Sequence, residues 1–217
     1  MEENKKKLNP GCWIAGLLLC SLGVTLSTKS GLGMSMIGAL PYIVHVWLRD
    51  TLTWYTQGTS EYFIEGAVLI ITGIIIRKFR LRWLLSFGTA IFSGLCIDGW
   101  LFIFGGNGVY SGMTIRVISF VLGLLLTALA IAFFFRTRMP LQAYELAVVE
   151  ISDRYNFDKS KVKYVNDFIY LMLCFALSLL LLKRIDGIGW GTIIITIFNA
   201  PSIAFFTKIL NKLKIPA

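Results

Sequence analysis

The chain has 217 residues, of which 56% are hydrophobic and only 15% charged, with a mean hydropathy of +0.73. That is more apolar material than a core of this size can bury. It comes in long runs rather than at alternating or amphipathic spacing, which excludes an ordinary soluble domain. The net charge of +9 does not point to nucleic acid, because the basic residues flank apolar runs instead of studding an aromatic-rich face.

A helix needs roughly 20 mostly apolar residues to cross ~30 Å of hydrocarbon. Six segments approach that length, at 12–28, 62–76, 83–104, 115–135, 165–182 and 188–210. The expected fold is therefore all-α, a polytopic bundle of six transmembrane helices. The first segment follows Lys5, Lys6 and Lys7 as a signal peptide would, but no small-x-small cleavage pattern stands after Leu26, so it reads as a retained helix. Segment 31–48 is apolar but interrupted by Gly33, Gly38 and Pro41, and the sequence leaves open whether it is re-entrant, interfacial or spanning. Segment 141–155 places Leu141, Tyr144, Ala147, Val148 and Ile151 at helical spacing opposite Glu145, Glu150, Asp153 and Arg154, which reads as an amphipathic helix on the inner surface. If neither segment crosses and the N-terminus is cytoplasmic, sixteen of the 21 Lys and Arg fall on the inner side. Lys29, Arg49, Arg116, Lys183 and Arg184 remain outside. The expectation is a cell-membrane protein with both termini cytoplasmic. Trp13, Trp54, Trp83 and Trp190 fall near span ends, where amphipathic rings anchor at the headgroups. Cys12, Cys20, Cys96 and Cys174 lie in apolar segments without CxxC or Cys/His spacing, so neither a disulfide framework nor a zinc site is indicated.

The chain also repeats itself. Trp83-Leu-Leu-Ser-Phe-Gly88-Thr89 is echoed by Gly187-Ile-Gly189-Trp190-Gly191-Thr192, each placing Gly-Thr early in a helix. Upstream of each copy runs an apolar helix with an acid near its start, Glu65 or Asp167, and basic residues at its end, preceded by one of the two ambiguous segments. The halves are 1–110 and 111–217, with three spans each, and an odd number of spans makes the second half enter the membrane upside down. The order Gly31-Leu32-Gly33 with Pro41, then Gly187-Ile188-Gly189-Trp190-Gly191-Thr192 with Pro201, resembles the bacterial YczE-like membrane proteins, relatives of the YitT group. The chain departs from that pattern at Met139, where a glycine is usual, and at Asn199-Ala200-Pro201, which lacks a glycine before proline. The resemblance implies a fold and a membrane location, and it carries over no substrate-binding residue.

Buried acids in lipid are costly, by roughly 2.5–3.5 kcal/mol at a helix centre, so those retained face a partner or a polar cavity. Asp98 reads as a proton or cation site, or as an acid capped near the interface through the Gly99 and Gly105-Gly106-Asn107-Gly108 region. Glu65 approaches the same face, where two carboxylates would share a proton or bind a cation; its plainer reading is an acid near a helix N-terminus. Asp167 stands beside Lys161 and Lys163 and reads as a solvated or capping charge. His45, the single histidine, is a titratable relay or an interfacial ring. Gly31, Gly33, Gly38 and Pro41 permit a non-helical backbone that binds substrate or simply makes a loop. Thr192, Asn199 and, as the counterpart of Glu65, Asp167 are the matching candidates in the second half.

No phosphate loop, nucleophile elbow or metal-ligand cluster is visible, so neither an enzyme nor a cofactor is expected. The leading expectation is a small secondary transporter for an unknown small molecule or ion, with a site between the repeats and a possible homodimer enclosing the path. The alternatives are a membrane regulator or scaffold that docks a partner protein through 141–155, and a substrate-binding subunit that borrows an external ATPase.

Overall fold

The computed structural model describes residues 9–81, 83–137, 139–140 and 142–213. Lys5, Lys6, Lys7, Arg82, Arg138, Leu141 and Lys214, which enter the charge and amphipathicity arguments, lie outside the described residues. Among the described residues there are eight α-helices and no strand: α1 Pro10–Ser30, α2 Met36–Leu48, α3 Gln57–Ile76, α4 Trp83–Ile103, α5 Met113–Phe134, α6 Ala143–Tyr155, α7 Lys159–Leu182 and α8 Trp190–Lys212. All but α2 and α6 are long and apolar enough to cross a membrane, which makes six candidate spans. The 13 residues of α2 rise about 20 Å, too little to cross alone.

Helix starts follow the capping residues. Asn9 accepts from the Cys12 amide ahead of Pro10, Ser35 from Gly38, Thr56 from Thr59, and Asp158 from Lys161. Two spans therefore begin earlier than their apolar runs: α3 at Gln57 rather than 62, and α7 at Lys159 rather than 165. The break in 31–48 falls at Gly31 to Ser35, and the helix runs on through Pro41.

The chain forms two compact units. Each draws on residues from both sides of position 110, and α4 passes from one unit to the other between Asp98 and Gly99. The first unit holds α1, α5, α8 and the end of α4. Here α1 and α5 cross at two glycines: a Cβ on Gly23 would stand 2.8 Å from the Gly123 carbonyl oxygen, and one on Gly123 would stand 2.8 Å from that of Gly23. Such small-residue contacts are how helices approach closely in lipid, where apolar burial gives little drive. Phe120, Leu124 and Ile195 form a core joining α5 to α8, with Leu32 packed against it. The buried Lys29 ammonium donates to Gly106 O at 2.8 Å and Gly108 O at 2.9 Å and lies over the Tyr110 ring. Arg116 donates to Ser30 O and Gly31 O, placing a second cation at the carbonyl end of α1.

The second unit holds α2, α3, α6, α7 and most of α4. In it α2 and α6 each pack on both α3 and α7. That corrects the reading of 141–155 as a helix lying on a membrane surface, because Ala143, Tyr144, Ala147 and Val148 are buried. Trp83 is likewise no interfacial anchor. It is fully buried and donates from Nε1 to Glu150 at 3.2 Å, beside the Arg80–Glu150 ion pair at 3.0 Å. Trp54 and Trp190 are exposed. None of the four cysteines is in a disulfide among the described residues.

Candidate functional site

The N-terminus of α3 is set by polar residues. Thr56 Oγ1 donates to one Asp98 oxygen, and the Gly58 amide donates to the other at 2.8 Å. Asp98 thereby satisfies a first-turn amide of α3 that has no helical partner. Close approach is possible there because both crossing residues are glycine: a Cβ on Gly58 would run into the Gly94 carbonyl, and the reverse holds for Gly94.

Further along the helix lie Glu61 and Glu65, one turn apart on the same face. Both are buried, Glu65 completely and Glu61 to 5% exposure. One Glu65 oxygen accepts the Ala143 amide at 2.8 Å, at the start of α6, while Oε1 has no hydrogen-bond partner among the described residues. Tyr144, which follows Ala143, is 1% exposed and its hydroxyl also lacks a partner among the described residues. Its ring meets Tyr170 of α7 edge-on at 5.5 Å. Burial pushes the Tyr144 phenol well above its ordinary range, and nearby Glu61, Glu65, Tyr170 and Cys174 push in the same direction, so it stays a neutral hydroxyl. The cation one turn before Asp167 on α7, Lys163, is taken up by Glu145 at 3.2 Å and Asp167 at 3.1 Å.

The other candidate residues divide between the units. Gly38 donates its amide to Ser35 Oγ, and Pro41 accepts from Ser60 Oγ at 2.7 Å, tying α2 to α3. His45 is buried and its Nδ1 lies 3.0 Å from the Tyr55 carbonyl; burial lowers the imidazole below its usual 6.5, opposed by that hydrogen bond. In the first unit, Gly31 ends α1 in the left-handed region, with φ 58°. Gly33, with φ 130°, packs on the start of α8, where a Cβ would stand 2.7 Å from the Thr192 amide. The Leu32 carbonyl accepts from the Gly191 amide at 2.9 Å, so the two glycine motifs read from the sequence meet backbone to backbone. Thr192 accepts from the Gly189 amide within this cap, and Asn199 is half-buried near the middle of α8. Asp98 and Glu65 are both on the second unit's α3–α4 side, yet Asp98 engages Thr56 and Gly58 while Glu65 engages α6. The acid beside Glu65 is Glu61, which sequence reasoning missed because it precedes the apolar run. Its signal was the i, i+4 spacing to Glu65.

An all-helical chain with six apolar spans and buried acids inside one of them is a multi-pass membrane protein. It belongs to a family of unknown function, DUF6198, matched over residues 10–208. It is 32% identical over 142 residues to the uncharacterized protein YyaS of Bacillus subtilis (strain 168), covering 64% of this chain and 67% of that one. No solved structure matches. The comparisons thus return a family without an assigned activity, and not the YczE-like name.

Proposed function

We propose that this protein is a small secondary transporter of the cell membrane, built from two inverted repeats with both termini cytoplasmic. Its ion-coupling site is the cluster of Glu61, Glu65 and Tyr144. The observation that carries this reading is the pair of buried carboxylates on one face of a span, with one Glu65 oxygen lacking any partner. Two ionised carboxylates a helical turn apart in a low-dielectric region repel strongly, and the groups around them, Tyr144, Tyr170 and Cys174, are neutral. Among the described residues no cationic side chain stands beside the pair, so the balancing charge would come from solution, and carrying it is what an ion-coupled transporter does.

The helix order supports the repeat. Lengths of 21, 13, 20 and 21 residues in α1 to α4 are followed by 22, 13, 24 and 23 in α5 to α8. Exchanging α2 with α6 and α3 with α7 turns the pair α2–α3 into α6–α7 and the pair α2–α7 into α3–α6, and all four occur within the second unit. Under the same exchange Glu61 and Glu65, the fifth and ninth residues of α3, correspond to Lys163 and Asp167 of α7. One copy neutralises itself and the other keeps its charge demand open. The alternative of a scaffold docking through 141–155 is less favoured, since that helix spends its apolar stripe inside the protein.

The test is reconstitution in liposomes carrying an internal pH dye and an imposed proton gradient, challenged with a panel of salts and metabolites. The wild type is expected to dissipate the gradient with at least one solute and Glu65→Gln with none. A wild type silent to the whole panel would overturn the reading.

A further inference from the structure

The cluster also constrains what it binds. Glu65 is wholly enclosed, Tyr144 is 1% exposed and Glu61 is 5% exposed, so a ligand arriving there sheds its water. Among the described residues the side-chain oxygens that stand out there are Glu65 Oε1 and the Tyr144 hydroxyl, both without a hydrogen-bond partner, and the Glu61 carboxylate, while the second Glu65 oxygen is committed to the Ala143 amide. Calcium takes six to eight oxygens, and magnesium keeps an octahedral shell that it dehydrates reluctantly. Neither is served by so small a set. Charge points the same way, because a pair holding both protons is neutral, and a monovalent ion that takes the place of one proton keeps it neutral, whereas a divalent ion would have to displace both. The groups facing the pair from the packed helices are Tyr144 of α6 and Tyr170 and Cys174 of α7, none of them cationic. Lys163 is occupied by Glu145 and Asp167, and His45 of α2 is turned to the Tyr55 carbonyl.

We infer that Glu61, Glu65 and Tyr144 form a site for a dehydrated monovalent alkali cation, such as sodium, which binds by displacing a proton from the carboxylate pair. This rests on the ion-coupled transporter reading and names its ion. The exchange is balanced: the cation enters as the acid proton leaves, with no net change in the charge of the site. Tyr144 contributes a neutral oxygen and loses no proton.

The experiment uses the purified full chain in detergent, weakly buffered with a pH indicator, and titrates sodium, lithium, potassium, magnesium, calcium and N-methylglucamine chlorides. Sodium is expected to acidify the solution by up to about one proton per chain and to raise the melting temperature, with an apparent affinity about tenfold weaker for each pH unit on the acid side. N-methylglucamine is expected to do neither. Glu61→Gln and Glu65→Gln should abolish the release. Tyr144→Phe, which keeps both acids, should release protons only at sodium concentrations at least about tenfold higher. Release by magnesium or calcium in place of the alkali ions, or no release from monodisperse wild type, overturns the assignment. So does release undiminished in both Gln variants. Sodium-dependent release from a protein that moves nothing in liposomes would sustain this site while removing the transporter reading. Gradient dissipation by some other solute, without alkali-ion binding, would do the reverse.

Discussion

Gly58 and Asp98 illustrate how a single side chain decides the geometry around this site. Any Cβ on Gly58 meets the Gly94 backbone, which cannot rotate away, so Gly58→Ala should destabilise the detergent-solubilised protein by about 1–3 kcal/mol. Gly88 has nothing near its would-be Cβ, and Gly88→Ala should be neutral or slightly stabilising; comparing the two melting temperatures checks the crossing. Asp98→Ala removes two hydrogen bonds from the start of α3 and should cost about 1–3 kcal/mol, yet leave sodium-dependent proton release per folded chain intact. His45 gives a pH prediction of definite sign. Its folded imidazole titrates below 6.5, so the unfolded chain takes up the proton first. Its contribution to stability is full above 6.5 and declines as the pH falls through that value toward the lower folded one. Melting temperatures between pH 7.5 and 5.5 should therefore fall more for the wild type than for His45→Gln.

At the scale of elements, the apolar runs disclosed the six spans, and capping chemistry decided where they begin. The stretch Gln57-Gly58-Thr59-Ser60-Glu61 reads as polar linker by hydropathy, but Thr56 caps it, Ser60 bonds the Pro41 carbonyl, and the first turns of α3 are buried. Those tertiary partners are invisible to a window of hydropathy, and so Glu61 was lost from the candidate site while Glu65 was kept. The amphipathic stripe of α6 was legible, but not what covers it, because a stripe records only that one face is apolar and not whether lipid, solvent or α3 faces it. The glycines at 31 and 33 were legible as backbone breaks. The purpose of Gly33 emerges only with α8, whose first turn it lets approach, while a Cβ on Gly31 would meet Val109. Replacing Gly123 by Leu drives a side chain into the Ser27 hydroxyl and the Gly23 carbonyl, and should separate α1 from α5 with a large loss of melting temperature and of monodispersity on size exclusion.

For the whole molecule, the proposed inverted repeat would fix which loops share a side of the membrane. Under it the turn between α3 and α4 and the turn between α7 and α8 open on opposite sides. In a variant whose four native cysteines are replaced by serine, single cysteines at Lys78 and at Lys183 should be labelled by impermeant reagent from opposite faces of the cell membrane. The claim on which function depends is that the buried acids Glu61 and Glu65 hold the moving charge. Proteoliposomes loaded with a pH dye and diluted into sodium chloride test it most directly. The account predicts internal alkalinisation in wild-type vesicles, as protons leave in exchange for entering sodium, and a flat trace for Glu65→Gln; equal traces from the two proteins would contradict it.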